Sequence, residues 1–295
     1  MYQYIKDKNG DLLVNTDTGE LFEGVPMLVP AGSKIITPDQ QKAQKEWNAK
    51  KSQREIRRKL QDELGYFYFV MREHEFGNIS AESAARLIYL CTYLNYNNEF
   101  MLTKRTNMKK SDLESVLGLS TRTIYNFWNE VKDTYISDDN DNGLKLCCSE
   151  IVRGRIANNN NQYQKIYMEG VRSIYTVCPI NKHKYLGYIF QLLPYINVEY
   201  NIICSNPTET DIDAIDALNA TEICTLLGYS EENASRLMGI YRKLTFIYRG
   251  REEYFLSLIY NQSGYKSLKA FVNPHVLYSG SDYKRVEVLG KISGK

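Results

Sequence analysis

The chain repeats one short sequence pattern, and an internal repeat constrains a fold more than any other feature. The first copy reads Leu117-Gly118-Leu119-Ser120 and the second reads Leu227-Gly228-Tyr229-Ser230. Every position is shifted by 110 residues without a gap, and an apolar residue follows four places after each serine. Because two copies in register arise by chance far less often than one, the pattern predicts a duplicated local structure.

Each residue of the pattern has a role at a corner between two helices. Gly118 and Gly228 can adopt a positive φ, which ends one helix and allows a sharp turn. Ser120 and Ser230 can accept hydrogen bonds from the free N–H groups that start the next helix. The apolar spacing of that next helix predicts its buried face. The predicted buried residues are Ile124, Phe127, Trp128 and Val131 in the first copy, and Ala234, Leu237, Met238 and Tyr241 in the second.

Similar elements flank the two corners. An amphipathic helix precedes each one and ends in Tyr93-Leu94-Asn95 or Tyr195-Ile196-Asn197, and Pro194 predicts that the second of these helices kinks or stops nearby. A β-hairpin follows each corner, around Asn142-Gly143 in the first copy and around residues 261–264 in the second. Helix, helix-turn-helix and hairpin is the order of a winged helix. The predicted fold is mainly α with small β-hairpins (α+β), built from tandem winged helix-turn-helix domains.

This interpretation divides the chain into six parts. They are a short β/turn segment at 1–36, a basic helix or linker at 37–63, winged-helix domain 1 at 64–156, a polar linker at 157–164, winged-helix domain 2 at 165–283, and a tail at 284–295. Between positions 42 and 59 the sequence has eight cationic residues and only two acidic ones, Glu46 and Glu55. Such a helix either neutralises DNA phosphates or is a solvated connection, and a charge run alone does not separate the two.

The sequence contains no recognisable catalytic or metal-binding motif. The three histidines have no metal-ligand spacing, none of the six cysteines forms a C-x-x-C pair, and P-loop and G-x-S-x-G motifs are missing. His74 is interpreted as part of a solvated loop, and Cys91, Cys178 and Cys224 as small core residues in a reducing compartment. The expectation is a cytoplasmic protein that is not an enzyme and uses no metal, cofactor or membrane.

In a helix-turn-helix the second helix enters the major groove of DNA with its early residues facing the bases. Arginine can pair with guanine and asparagine with adenine, whereas residues at a helix start and nearby lysines contact phosphates. The first copy carries the predicted reading face. Its candidate DNA-binding residues are Lys109, Lys110, Ser120, Thr121, Arg122, Tyr125, Asn126 and Asn129, with Lys104 and Arg105 as further phosphate contacts.

Two acidic segments complicate this picture. Glu231 and Glu232 open the second helix of the second corner and would repel phosphate. The candidate contacts of that copy therefore come later, at Arg236, Arg242, Lys243 and Arg251, and the copy serves either DNA binding or dimerisation. The tip of the first hairpin carries Asp138 and Asp139, so this wing either points away from DNA or contacts a protein.

The second half of the chain resembles the replication-initiator-like (RepL-like) winged-helix proteins of bacterial plasmids and phages. The resemblance rests on residues 184–190, on Gly228-Tyr229-Ser230 and above all on Val272-Asn273-Pro274 with the residues up to Gly280. It implies a sequence-specific double-stranded DNA-binding protein of a mobile element, acting in replication initiation or its transcriptional control. The alternative is a protein–protein adaptor or inhibitor built from winged helices. A homodimer, contacts with other replication proteins, and the DNA target are left open.

Overall fold

A computed structural model describes residues 2–7, 10–23, 38–74, 76, 78–139, 142–154, 156, 163–260 and 268–294. The chain forms two compact units, Met1–Ser52 and Gln53–Lys295. Helices combine with small antiparallel sheets, so the fold is of the predicted α+β kind. The predicted linker residues 157–162 lie outside the described residues, and the next two positions already belong to a strand.

The first unit contains a three-stranded antiparallel meander, as the predicted strands and turns of this segment require. Its strands are β1 (Tyr2–Asp7), β2 (Gly10–Asn15) and β3 (Leu21–Glu23). Helix α1 spans Pro38–Leu64, which confirms the basic helix. All of its side chains from position 39 to 59 are exposed, including the eight cations. Exposure agrees with both interpretations of that helix, namely phosphate contact and solvated connection.

The second unit contains a three-stranded antiparallel sheet of strand order β10-β4-β9. The strands are β4 (Phe67–Met71), β9 (Ile151–Val152) and β10 (Tyr163–Tyr167). Tyr68, Val70 and Ile166 are buried, whereas their neighbours Phe69 and Lys165 are only half-buried. This alternation places one face of the sheet on the core. Strands that are far apart in the sequence thus pair in one sheet. Strand β4 precedes the first repeated region, whereas β9 and β10 lie between the two.

Two sets of elements follow the repeated sequence. The first copy consists of α2 (Ala81–Leu90), β5 (Met101–Thr103), β6 (Thr106–Asn107), α3 (Leu113–Leu117), α4 (Thr121–Val131), β7 (Ile136–Asp139) and β8 (Gly143–Leu146). The second copy consists of α5 (Met168–Val177), α6 (His183–Gln191), α7 (Ala220–Leu226), α8 (Ala234–Tyr241), β11 (Thr245–Tyr248), β12 (Arg251–Tyr254), β13 (Leu256–Tyr260) and β14 (Leu268–Val272). Both predicted hairpins are confirmed as the pairs β7–β8 and β13–β14. The predicted turn at 261–264 lies outside the described residues.

The turn after the first helix is built alike in the two copies. The Oδ1 atom of Asn95 accepts hydrogen bonds from the backbone N–H groups two and four residues later, at 2.8 and 3.0 Å. The Oδ1 atom of Asn197 accepts from those two and three residues later, at 3.0 and 2.9 Å. A left-handed asparagine follows in each case, Asn98 at φ 62° and Asn201 at φ 55°. Asparagine suits both positions, because its side chain can hydrogen-bond the nearby backbone and its own backbone tolerates the left-handed conformation.

A short extended segment then joins each hairpin as a third strand. The N–H of Phe100 donates to the carbonyl of Leu144 in β8 at 3.0 Å, and the N–H of Ile203 donates to Ala270 in β14 at 2.9 Å. Helix α6 ends at Gln191 and a 3-10 turn over Leu193–Tyr195 follows, which confirms the stop predicted from Pro194. The helix, the asparagine turn, the third strand, the two following helices and the hairpin therefore occur in the same order in both copies, although each copy has further elements of its own.

The first helices of the two copies, α2 and α6, pack against each other. A Cβ atom at Gly187 of α6 would lie 1.7 Å from the carbonyl oxygen of Ala81, so only glycine permits this approach. One hydrophobic cluster contains residues of both copies, such as Leu87, Phe127 and Leu237. The two copies consequently share a continuous core.

Besides the sheet β10-β4-β9, a hairpin and two helices were not anticipated from the sequence. Hairpin β11–β12 lies between α8 and β13, with Gly250 in its turn at φ 81°. Helix α5 precedes α6, and helix α9 (Tyr283–Ser293) occupies the segment that was predicted only as a tail. Val286 and Leu289 of α9 are buried. In the part of the chain that the structure describes, no helix has the length and apolar character that a bilayer crossing needs.

Candidate nucleic-acid interface

The first helix-turn-helix corner lies between α3 and α4. Gly118 follows α3 in the left-handed conformation at φ 65°. The N–H groups of Gly118 and Leu119 both donate to the carbonyl of Glu114, at 3.0 and 3.2 Å. A bond across five residues together with a left-handed glycine closes a helix in the Schellman manner. The predicted role of this glycine is confirmed.

The second corner repeats the same backbone geometry 110 residues later. Gly228 has φ 61°. The N–H of Tyr229 donates to the carbonyl of Cys224 at 2.9 Å, again across five residues. The left-handed glycine and the five-residue bond thus recur at equivalent positions, whereas the N–H of Gly228 donates to the carbonyl of Thr225 at 3.1 Å and not to that of Cys224.

The serines do not cap as predicted. Ser120 stands directly before α4, but its side chain accepts no hydrogen bond from the backbone. Its Oγ atom lies 3.0 Å from the Oγ1 atom of Thr123, and the two hydroxyls bond each other instead. Ser230 also lacks a side-chain cap. Because Ser120 is exposed and its hydroxyl is not occupied by the backbone, it stays accessible to an external acceptor.

Helix α4 has one buried and one exposed face. The four residues predicted to be buried, Ile124, Phe127, Trp128 and Val131, are all in the core. The six predicted contact residues in and before the helix are all exposed: Ser120, Thr121, Arg122, Tyr125, Asn126 and Asn129. Tyr125 is 66% exposed, an unusual position for so large a ring. The helix therefore presents an uncovered polar face.

This face is free of carboxylates. No aspartate or glutamate occurs between Glu114 and Glu130. Glu130, the acidic residue nearest the end of α4, is half-buried and accepts a hydrogen bond from the N–H of Ser80 at 2.7 Å. Arg122 and the partial positive charge of the helix start are consequently not opposed by an acidic group on the same face.

Further cations lie before α3. Lys109 and Lys110 are exposed. The Nζ atom of Lys110 lies 4.7 Å from the ring centroid of Trp128, which holds its ammonium beside α4. The N–H of Lys109 donates to Asp112 at 2.8 Å, so its backbone is also fixed. Lys104 and Arg105, in the turn between β5 and β6, are exposed as well.

The second corner presents a different surface. The segment Glu231–Asn233 forms a 3-10 turn, and α8 begins only at Ala234, later than the sequence predicted. Glu231 and Glu232 are both exposed, and Glu231 accepts a hydrogen bond from the hydroxyl of Thr225 at 2.8 Å. The start of this helix is therefore acidic and lacks the open polar face of α4.

The cations of the second copy are distributed around the end of α8. Arg236, Arg242, Lys243 and Arg251 are exposed, as predicted. The guanidinium carbon of Arg242 lies 4.6 Å from the ring centroid of Tyr260, which connects it to the hairpin. Arg249 instead has a structural role, because it contacts Glu169 at 3.7 Å and donates to the carbonyl of Asp62 at 2.7 Å.

The tip of hairpin β7–β8 is acidic. Asp138 and Asp139 are exposed at the end of β7, while residues 140–141 of the predicted turn lie outside the described residues. The amide of Asn142 donates to Asp139 at 2.8 Å. Such a tip does not suit contact with a phosphate backbone.

Sequence reasoning placed one histidine wrongly. His74 is not part of a solvated loop, because the residue is only 8% exposed and its side chain lies beside Cys148 and Glu150. The prediction that Cys91, Cys178 and Cys224 are buried is confirmed. Cys147 is exposed and Cys148 is buried, so these neighbours do face different sides.

Comparisons with known proteins identify no relative. No family model, no curated protein and no solved structure matches this chain.

Proposed function

We propose that the two copies are winged-helix modules and that the chain is a sequence-specific double-stranded DNA-binding protein. A role in replication initiation of a mobile element, or in its transcriptional control, is part of this proposal. The observation that carries it is the outer face of α4. That face is exposed, polar and free of carboxylates, and it belongs to the second helix of a helix-turn-helix corner.

The winged-helix assignment is supported by the order and pairing of the elements. In each copy a helix, a short extended segment, two helices joined at a glycine corner and a hairpin occur in this order, and the second copy carries the additional hairpin β11–β12 before β13–β14. The short strand pairs with the second strand of the hairpin through Phe100 and Leu144, or through Ile203 and Ala270. A winged helix has this third strand beside its wing, and its second corner helix is the one that enters the groove.

Helix α4 supplies the residue types that base reading needs. Arg122 in its first turn offers a guanidinium for the O6 and N7 atoms of guanine. Asn126 and Asn129 offer amides for the N6 and N7 atoms of adenine. Each good pair discriminates against a wrong base by about 1–3 kcal/mol. These three residues are therefore assigned to sequence recognition, with Tyr125 beside them.

Phosphate contacts position the helix in the groove. Ser120 and Thr121 lie at the helix start, where hydroxyl and N–H groups favour an anion. Lys109 and Lys110 add charge on one flank. In the second copy Arg236, Arg242, Lys243 and Arg251 serve as phosphate contacts, because the acidic Glu231 and Glu232 disfavour deep insertion of α8.

The first experiment selects bound duplexes from a random pool with the full chain. Arg122→Ala is then compared with the wild-type protein on a selected duplex and on an unrelated one. We expect a loss of about 1–3 kcal/mol on the selected duplex and little change on the unrelated one. Lys110→Ala is the matched control, since loss of a phosphate contact weakens binding on both duplexes alike.

An equal loss for Arg122→Ala on both duplexes contradicts base reading by α4. If the pool yields no enriched duplex at all, the proposed function is wrong. In that case the acidic tip at Asp138 and Asp139 favours the adaptor, because an acidic hairpin suits a basic protein surface better than DNA.

A further inference from the structure

Three side chains with different ligand atoms converge at one point that contains none of the proposed DNA-binding residues. His74 lies between β4 and α2, and Cys148 and Glu150 lie between β8 and β9. The ligand atoms of all three residues lie within 4.8 Å of one another. The Nδ1 atom of His74 is 3.3 Å from Glu150 Oε2, and the Sγ atom of Cys148 is 3.0 Å from the same oxygen.

These separations suit ligands of one tetrahedral metal ion. Zinc lies about 2.0–2.1 Å from histidine nitrogen, about 2.3 Å from cysteine sulfur and about 2.0–2.2 Å from carboxylate oxygen. At tetrahedral angles these bond lengths put neighbouring ligand atoms about 3.4–3.6 Å apart. The His74–Glu150 separation of 3.3 Å is shorter than its tetrahedral value by about 0.1 Å and the Cys148–Glu150 separation of 3.0 Å by about 0.6 Å, while the His74 and Cys148 ligand atoms lie within 4.8 Å. Binding of the ion therefore requires a small movement of the partly exposed Glu150 side chain.

We propose that His74, Cys148 and Glu150 bind one Zn²⁺ ion, with water in the fourth position. The ion would hold the loop after β4 against the turn between β8 and β9. The ligand set selects the metal, because Mg²⁺ and Ca²⁺ prefer oxygen ligands, whereas sulfur and imidazole together suit zinc.

The surroundings of His74 orient its ring. Phe76 and Tyr135 meet it edge-on, with ring centroids 4.5 and 5.7 Å away. The side chain of His74 is 7% exposed, and among the described residues its Nε2 atom has no hydrogen-bond partner. An imidazole held so deeply, with Nδ1 directed at a thiol and a carboxylate, is a prepared ligand. Apolar walls of this kind also control the access of solvent to a metal site.

An ion can enter from the side of Glu150. This side chain is 43% exposed, whereas Cys148 and His74 are buried. The carbonyl of Glu150 accepts the N–H of Met71 at 2.7 Å, so its backbone is anchored to β4. The site thus combines two buried ligands with one at the surface.

Zinc coordinates cysteine as the thiolate, so binding of one ion at Cys148 releases the thiol proton to the buffer.

A titration of the full chain with Co²⁺, a spectroscopic substitute for zinc, tests this proposal. We expect one equivalent to produce a thiolate-to-cobalt absorption band together with the visible bands of four-coordinate cobalt, and Zn²⁺ to abolish them. Cys148→Ser should remove the thiolate band. Cys147→Ser is the matched control and should retain it, because the exposed neighbour faces away from the site.

Glu150→Gln covers the case in which Cys148→Ser fails to fold, since its side chain is partly exposed. We expect it to weaken zinc binding about tenfold or more in a competition assay with a chromogenic chelator. Zn²⁺ should also raise the Tm of the wild-type protein but not of either ligand variant. The proposal is wrong if the wild-type chain gives no thiolate band, or if the band disappears with Cys147→Ser. DNA binding is not part of this test, so either proposal can fail without the other.

Discussion

Burial fixes the charge of His183, a residue for which the sequence suggested no role. Its ring is 2% exposed, and its Nε2 atom lies 3.2 Å from the carbonyl oxygen of Cys178. The ring of Tyr175 lies against it at 4.3 Å between centroids. Desolvation lowers the pKa of His183 from 6.5, although the Cys178 carbonyl opposes the shift. The folded protein therefore prefers the neutral imidazole.

This preference predicts a pH dependence of stability. A histidine with a lowered pKa binds protons more readily in the unfolded chain, so its contribution is complete above pH about 6.5 and is lost as the pH falls below that value. We expect the free energy of unfolding in urea to decrease from pH 7.5 to 5.5, and His183→Gln to make this decrease smaller. Lys184→Gln, the neighbouring control, should leave it unchanged. An unaltered slope in His183→Gln would refute this account of the residue.

Single residues explain part of what the sequence could predict. Gly118 and Ser120 lie within a few positions of the helices that they separate, so their pattern gave the corner and the exposed face of α4. The capping role predicted for Ser120 was nevertheless wrong, because its hydroxyl bonds the hydroxyl of Thr123 and not the backbone. His74 and Cys148 come together only through the fold, and no local spacing could reveal that arrangement.

At the scale of elements, local signals predicted helices and hairpins well. Asn142-Gly143 marked the β7–β8 turn, and Gly143 does occupy a left-handed position at φ 86°. The sheet β10-β4-β9 was not predicted, because its register depends on pairing between strands such as Phe67 with Tyr167. Hairpin β11–β12 was missed because three of the four residues of β12 are charged, namely Arg251, Glu252 and Glu253, so this strand carries no apolar signal.

The close contact between α2 and α6 predicts opposite effects on stability for alanine at two helical glycines, Gly187 and Gly239. Gly187→Ala forces a Cβ atom onto the carbonyl of Ala81, and such overpacking typically costs about 1–3 kcal/mol. Gly239→Ala in α8 meets no atom within 4 Å, and alanine is the better helix former by about 0.5–1 kcal/mol. Urea unfolding should therefore show Gly187→Ala less stable and Gly239→Ala more stable than the wild-type protein. Destabilisation of equal size by both substitutions would contradict this view of the contact.

At the scale of the whole molecule, the duplication has produced two unequal copies around one core. Both share the asparagine turn, the glycine corner and the three-stranded hairpin, but α8 follows a 3-10 turn with the exposed Glu231 and Glu232, whereas α4 follows the exposed Ser120. The second copy also adds α5 and β11–β12. If the proposed function holds, this asymmetry gives base reading to the first copy and supporting phosphate contacts to the second.

The proposed phosphate contacts predict that the affinity of the protein for DNA depends on salt concentration. Each phosphate that the protein neutralises releases counterions, so the logarithm of the binding constant falls with the logarithm of salt concentration by about 0.9 per contact. If the exposed cations Lys109, Lys110, Arg242 and Lys243 each contact a phosphate, the logarithm of the binding constant should fall by several units for a tenfold increase in salt concentration. Replacing Lys109 and Lys110 by alanine should reduce the slope by about 2.

The most direct measurement is the affinity of the full chain for a duplex of about 30 base pairs over a series of salt concentrations. The account predicts a straight double-logarithmic line with a slope of about −3 or steeper, and a shallower line for the Lys109 and Lys110 double variant. A flat response, or no binding at the lowest salt concentration, would contradict the claim that this protein acts on DNA through α4 and its flanking lysines.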